Sequence, residues 1–390
     1  MAITRRALLG MGLAGLFVAR DGFPTMAPSP DSSFDDWRRH FESGLPARMK
    51  AAGIPGVAVA IASTTSHHYT SAFGFADIGA GRRLSVDTPM HLASVSKLVT
   101  TLGMVRLFER HGYDLHQDVN HFLDIVVRNP HHPDRPITVH QLLTHTSSIS
   151  DEGYGDITIP GDATQSLGDF LTSYLTRGGA TYSPDESFLR AAPGTRWTYS
   201  NVAMALAGHV VERIAKRDFG SFIEAEVFAP LAIRNAHWSI RRFAPNVLAI
   251  PYEFDDGKLV ALPQQGYPDI PAGMLRCPVN DLAKLLATLL GAPTAQPPIA
   301  SPQALRAMLE PQVDPSIASY QGLGWIAEEV NGRTVVGHSG SDPGASNMVA
   351  LTGDRKQAAV VLMNVDGTRR NTRFRDEVTR DLLAGASRIA

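Results

Sequence analysis

The strongest constraint on this chain is where its strand-like segments fall. They gather at the two ends, and the middle reads as helix and loop. Val57-Ala58-Val59-Ala60-Ile61-Ala62 is an unbroken apolar run between turn signals, the pattern of a strand covered on both faces. A second strand at about 69–76 follows a polar turn, which predicts an antiparallel pair. Four more strand patterns come late, at about 322–329, 333–339, 347–352 and 358–364. Asn331-Gly332 is a hairpin turn between the first two of them, and Gly353-Asp354-Arg355-Lys356 makes a second turn. The economical architecture is an α+β fold. One antiparallel sheet, built from both termini and flanked by helices, carries an inserted, mainly helical region. The sheet-bearing part would cover about 33–95 and 318–390, and the helical part about 96–317.

Helices are read from apolar spacing. Trp37, Phe41, Leu45 and Met49 share one face of a helix at about 35–52, ended by Gly53 and Pro55. A short helix is expected at 169–175, and Val202, Leu206, Val210 and Ile214 form the stripe of another. A further helix runs to about 290, with Asn280 or Asp281 as its expected cap. A last one covers about 370–383.

At the N-terminus, Thr4-Arg5-Arg6 precedes an apolar run from Ala7 to Ala19. That run has the length of a signal-peptide core and is short for a membrane span. The paired arginines fit a twin-arginine signal, with a Sec signal as the alternative. Residues 1–27 therefore read as an export signal and linker, ahead of one domain at 28–390, and a periplasmic protein is expected. No other run is long enough to span a bilayer. The formal charge of -2 gives no global argument for nucleic acid or an anionic membrane as partner. The single cysteine, Cys277, cannot form an intramolecular disulfide and reads as a packing residue. The pairs His67-His68 and His131-His132 lack a metal-site spacing. G-x-S-x-G, a P-loop and G-x-G-x-x-G are absent, so neither metal nor cofactor is expected.

Three constellations carry chemistry. The first is Ser94 with Lys97, three residues apart and so on one helix face. Leu98, Leu102, Val105 and Phe108 continue that helix, and Gly112 stops it. Ser94 is expected at the helix N-terminus, where free N–H groups favour developing negative charge. An alcohol needs a base to become a nucleophile, and Lys97 could serve if burial lowered its pKa. The second is Tyr199-Ser200-Asn201, at a helix entry. A tyrosine near Lys97 could be partly phenolate, take the Ser94 proton and return it to a leaving group. Asn201 has both a donor and an acceptor for a substrate amide. The third is His338-Ser339-Gly340-Ser341, at a strand end, where glycine permits close approach. The Ser341 N–H could pair with that of Ser94 as an oxyanion hole. His145 reads as a buried hydrogen-bonding residue of its turn rather than a base.

Ser-x-x-Lys, Tyr-x-Asn and His-x-Gly, in that order, resemble the serine β-lactamase and penicillin-binding protein superfamily. The closest resemblance is to its class C β-lactamase-like branch, which holds D-alanyl-D-alanine carboxypeptidases, D-aminopeptidases, esterases and class C β-lactamases. The flanks 141–147, 193–201 and 337–344 are similar too, and the resemblance runs from about residue 35 to the C-terminus. It implies a β-lactamase/transpeptidase-like fold. By position it makes Ser94 the acylated nucleophile, with Lys97 and Tyr199 sharing proton transfer. Asn201 would contact the substrate amide, His338 would stand for the basic residue of the third motif, and Ser341 would supply the second oxyanion donor. Class C β-lactamases carry Lys-Thr-Gly where this chain has His338-Ser339-Gly340. Histidine is charged only when its pKa allows, which disfavours β-lactam turnover. The expected function is an acyl-enzyme serine hydrolase for an amide or ester of a small molecule or peptide. The alternatives are a class C-type β-lactamase and a penicillin-recognising module without turnover. Loops at about 150–190 and 240–275 would shape the pocket, where Asp342 or Glu152 could favour a cationic group or simply face solvent.

Overall fold

The computed structural model describes residues 33–389, apart from 66–68 and 256. The expected export signal and the His67-His68 pair lie outside the described residues. Among the described residues, no helix is long and apolar enough to cross a membrane.

Helix α1 is Phe34–Ala52, started by the Ser33 side chain on the Asp36 N–H and ended by Gly53 at φ 72°. It buries Trp37, Phe41, Leu45 and Met49, the expected face. Three strands come from the N-terminal side: β1 Gly56–Ser63, β2 Tyr69–Asp77 and β3 Arg82–Arg83. Four come from the C-terminal side: β4 Ile326–Val330, β5 Arg333–Asp342, β6 Ala345–Leu351 and β7 Gln357–Met363. They form one seven-stranded sheet in the order β4-β5-β6-β7-β1-β2-β3. Each pairing is antiparallel, and Val59 of β1 faces Val361 on one side and Ser71 on the other. The α+β fold with a sheet shared by both ends of the chain is the one expected.

Four other helices matter for the site: α2 Ser96–His111, α3 Asn201–Ala215, α4 Val279–Leu289 and α5 Arg369–Ala386. Strand β1 is buried at every residue, and its two faces differ. Val57, Val59 and Ile61 join the core beneath α1 and α5. Ala58, Ala60 and Ala62 join the larger core that includes α4 and the helical region. Small side chains on that face let α4 lie close to the strand. On the other face, Gly385 of α5 admits the Trp37 ring, since a Cβ there would sit 2.4 Å from it.

Two local expectations need correction. The strand expected at 322–329 begins only at Ile326. Gly324, at φ 73°, donates its N–H to Leu143 O at 3.0 Å and lies against Thr101, so this stretch is held by the helical region. Helix α4 is not capped by Asn280 or Asp281. It starts at Val279 after Pro278, with no side-chain cap. Asp281 instead meets Lys284 at 2.9 Å, and Asn280 donates to Asp87 at 3.2 Å.

In the helical region α3 packs on the turn Ile270–Ala272. Contact is closest at Gly208, where an added Cβ would lie 2.1 Å from Pro271 Cγ. Gly208→Ala should therefore wedge α3 from the turn and cost about 1–3 kcal/mol of stability. A urea midpoint equal to that of the wild type would show that the turn yields without cost.

Candidate active site

Ser94 lies in a single 3-10 turn, Ala93–Val95, directly before α2. The turn is sharp because Ala93 has φ 48°, a left-handed conformation costing an L-residue about 1–2 kcal/mol. Ser94 does not cap the helix, which starts without a side-chain cap. Hydrogen bonds tie this segment to the rest of the molecule. Leu92 N–H donates to Leu275 O at 2.9 Å, and Leu275 N–H donates to Ser96 Oγ at 3.2 Å. Asn347 of β6 donates to His91 O at 2.9 Å and accepts from Met363 N–H at 3.1 Å.

Gly340 is the point where the sheet meets this turn. A Cβ there would lie 2.4 Å from Leu92 O and 3.2 Å from the Ser94 and Val95 nitrogens. Only glycine permits that approach. Because β5 runs on to Asp342, Ser341 is still within the strand. It lines the same cleft as Ser94, a cavity of about 560 Å³.

Lys97, the second residue of α2, is fully buried. Its Nζ donates to Ala272 O at 2.6 Å, Asn201 Oδ1 at 2.8 Å and Ser94 Oγ at 3.1 Å. Burial pulls its pKa down to about 8, opposed by the carboxylates of Asp269, Asp151 and Asp342.

Tyr199 has its hydroxyl within hydrogen-bonding reach of the Ser94 side chain. The expectation of a partly ionised phenolate is not met in the resting site. Burial raises the Tyr199 pKa, opposed by the Ser94 hydrogen bond, and Asp151, Glu328 and Asp342 raise it further. Lys97 Nζ sits 4.9 Å from the ring centroid, over the ring. Tyr199 is therefore a neutral phenol here, with a proton available to give.

The Tyr199-Ser200-Asn201 segment is held by a residue the sequence reading passed over. Asp151 accepts from Ser200 Oγ at 2.7 Å, Asn201 N–H at 2.6 Å and Val202 N–H at 3.2 Å. Ser200 itself caps α3 through the Ala203 N–H at 2.9 Å. Asp151 thus places a carboxylate at a helix N-terminus, where the free donors and dipole favour it. Its neighbour Glu152 is exposed.

His145 is buried at φ 56°. Its Nδ1 accepts from Ser200 N–H at 3.2 Å, and its ring lies 4.5 Å from that of Tyr199. Burial, then the charge of Lys97, holds it neutral. That matches a buried hydrogen-bonding role. His338 departs from expectation. It is 1% exposed, and its Nδ1 lies 2.6 Å from Ser339 O, a donor geometry. Burial, then Lys97, pulls its pKa down to about 3. It packs 6.0 Å from the Tyr199 ring and is not among the residues lining the cleft. The ring is neutral in the resting site and set back from the cleft wall.

The rest of the cleft wall comes from the loops. Tyr154, Tyr267, Asp269, Asp342, Glu253 and Asp366 all line it. Tyr154 O–H donates to Asp269 Oδ2, and Tyr267 O–H donates to Asp342 Oδ2 at 2.8 Å. Of these residues only Asp342 was anticipated. Each tyrosine–aspartate pair is formed between residues too far apart in the chain for any local pattern to reveal.

Known proteins resemble this chain in sequence and in fold. The chain is 22% identical over 334 residues to "Protein flp" of Staphylococcus aureus, covering 85% of this chain and 64% of that protein. It is 32% identical over 192 residues to "Esterase EstB" of Burkholderia gladioli, covering 47% of this chain and 46% of that one. The fold superposes on that of a D-amino acid amidase from Ochrobactrum anthropi SV3 with TM-score 0.70, at 18% identity over 91% of this chain and 99% of the other. The Beta-lactamase family model matches residues 41–384, most of the chain and all three constellations, and the chain belongs to that family.

Proposed function

We propose that the protein is a serine hydrolase that opens esters or amides through an acyl-enzyme on Ser94. The observation that carries this reading is the hydrogen bonding of Lys97. An ammonium group has three donors and a neutral amine has two plus a lone pair. Ala272 O and Asn201 Oδ1 hold two positions of Nζ, and Ser94 Oγ lies at the third. When Lys97 loses one proton, it keeps the two shorter bonds and turns its lone pair to Ser94.

The steps follow from that geometry. Neutral Lys97 takes the Ser94 hydroxyl proton as Oγ bonds to the substrate carbonyl carbon. The backbone N–H groups of Ser94 and Ser341 are the candidate donors for the oxyanion. Collapse breaks the bond to the leaving group. Tyr199 donates its proton to that group, and the proton held by Lys97 makes good the loss through the hydrogen bonds that both residues make to Ser94. Water then attacks the acyl carbon, gives a proton back through the same residues, and Ser94 leaves as the alcohol. Asn201 spends its Oδ1 on Lys97 and offers its amide N–H to a substrate carbonyl.

The site also bears on substrate class. His338 is neutral and buried, and the residues lining the cleft include no lysine or arginine. Nothing on that wall is built to hold a free carboxylate. The favoured substrates are therefore esters and amides without one, ahead of β-lactams and C-terminal D-amino-acid peptides. The likeness to an esterase and to a D-amino acid amidase supports the same choice. The Thr4-Arg5-Arg6 segment and the apolar run after it support export.

Ser94→Ala should abolish labelling by a fluorophosphonate probe and hydrolysis of p-nitrophenyl butyrate, and undiminished labelling would sink the assignment. Tyr199→Phe should slow acylation about 10²–10⁴-fold with little change in binding, and a wild-type acylation rate would remove Tyr199 from proton transfer. Because burial lowers the Lys97 pKa to about 8, its base form accumulates above that pH. For p-nitrophenyl butyrate, kcat/KM should climb between pH 6 and 8 and level off beyond about pH 9, whereas a flat profile would exclude Lys97 as the base.

A further inference from the structure

We propose that the acidic end of the cleft, built by Asp269 and Asp342 with Tyr154 and Tyr267, is a subsite for a substrate ammonium group. This rests on the acyl-enzyme reading of Ser94 and names the substrate class for it: cationic esters and amides.

The first argument is charge. Glu253, Asp269, Asp342 and Asp366 line the cleft, and no lysine or arginine does. A cleft lined by one sign of charge concentrates ligands of the opposite sign.

The second is an incomplete hydrogen-bond account at Asp269. This side chain is 1% exposed and lines the cavity. Its Oδ2 is taken by the Tyr154 hydroxyl, while Oδ1 is buried without a partner. A buried carboxylate oxygen without a donor is costly, and an arriving ammonium N–H would complete it. Lys97, the nearest cation, already spends its three donors on Ser94, Asn201 and Ala272 O.

The third is the setting of Asp342, whose carboxylate also lines the cavity and feels the charges of Arg276 and Lys97 from behind it. His91 Nε2 lies 3.5 Å away, but it is also 3.0 Å from Gly273 O, and burial, then Arg276, holds the ring neutral. Arg276 stands behind the wall with Nη1 on Met274 O at 2.8 Å and Nη2 on Gln265 O at 2.5 Å. The two tyrosine rings on this wall add a surface suited to a cation, since aromatic faces attract positive charge.

A titration signature follows. Burial raises the Asp269 pKa to about 7, opposed by the Tyr154 hydrogen bond and by Lys97, with Asp151 raising it further. A cation seated beside Asp269 lowers that value, so binding near neutral pH should release a proton.

The test is calorimetric titration of the full-length Ser94→Ala protein at pH 7, so that binding is read without turnover. The probes are glycine p-nitroanilide, which is cationic, N-acetylglycine p-nitroanilide, which is neutral, and N-succinylglycine p-nitroanilide, which is anionic. The cationic probe should bind about tenfold more tightly than the neutral one, and the anionic probe more weakly than both. Only the cationic probe should release a proton, seen as a binding heat that changes with the buffer. Asp269→Asn should erase the proton release, and Asp342→Asn should shrink the preference to below about threefold. Equal binding of the three probes by the parent protein would overturn the proposal, and so would a preference that survives both variants. Displacement of the cationic probe by millimolar calcium, with calcium itself binding more tightly, would overturn it in favour of an inorganic ion site. Hydrolysis of p-nitrophenyl butyrate that persists in Ser94→Ala would reject the catalytic reading alone, and leaves the subsite to be judged on binding.

Discussion

A buried ammonium group sets the terms for the whole site. Taking Lys97 out of water costs several kcal/mol unless its donors are met. The structure meets them with one local oxygen, from the side chain of Ser94, and two distant ones, from the side chain of Asn201 and the main chain of Ala272. Each of these must itself be held. Asn201 is fixed by Asp151 through the start of α3, and Ala272 by the turn that packs under Gly208. The sheet presses on Ser94 through Gly340. The helical region and the sheet are therefore fastened to each other at the lysine. The low dielectric that makes the lysine expensive also makes it a base near neutral pH.

The same burial sorts the other ionisable groups. His338 and His145 are driven neutral, Tyr199 stays a phenol and Asp269 moves towards neutrality. With a depressed base beside a neutral acid, proton transfer can run through Ser94 without a permanently charged residue in contact with substrate. The remaining negative charge lies on the loop side of the cleft. That placement separates the chemistry of the acyl group from recognition of whatever the acyl group carries.

Much of the fold was legible in the sequence because it rests on local patterns. The run Val57–Ala62 has the pattern of a doubly covered strand, and Asn331-Gly332 marked the hairpin between β4 and β5. Ser94 and Lys97 were visible because helical spacing joins them, and Tyr199 and Asn201 because they open a helix. The errors fall where distant contacts decide. His338 was read as a basic contact because its burial beside Tyr199 depends on how β5 meets the helical region. Tyr199 was read as a partial phenolate because the lysine was imagined beside its oxygen, whereas the amine lies over the ring. Asp151 was overlooked beside Glu152 because its three donors lie some 50 residues on. Tyr154 and Asp269 are 115 residues apart, and nothing local marks either one. Asn280 was a reasonable cap until Pro278, lacking an N–H, proved able to open the helix.

The position of β1 between β2 and β7 also has a temporal side. A ribosome making 5–20 residues per second needs about 15–60 s to travel from the first central strand to its second partner. Throughout that interval β1 has only β2 beside it, and the edge that will receive β7 is bare. An apolar strand with an open edge is a template for unwanted pairing. That edge is covered only when residues 357–363 arrive. Of the described elements, only α5 follows the strand that completes the sheet beneath the nucleophile.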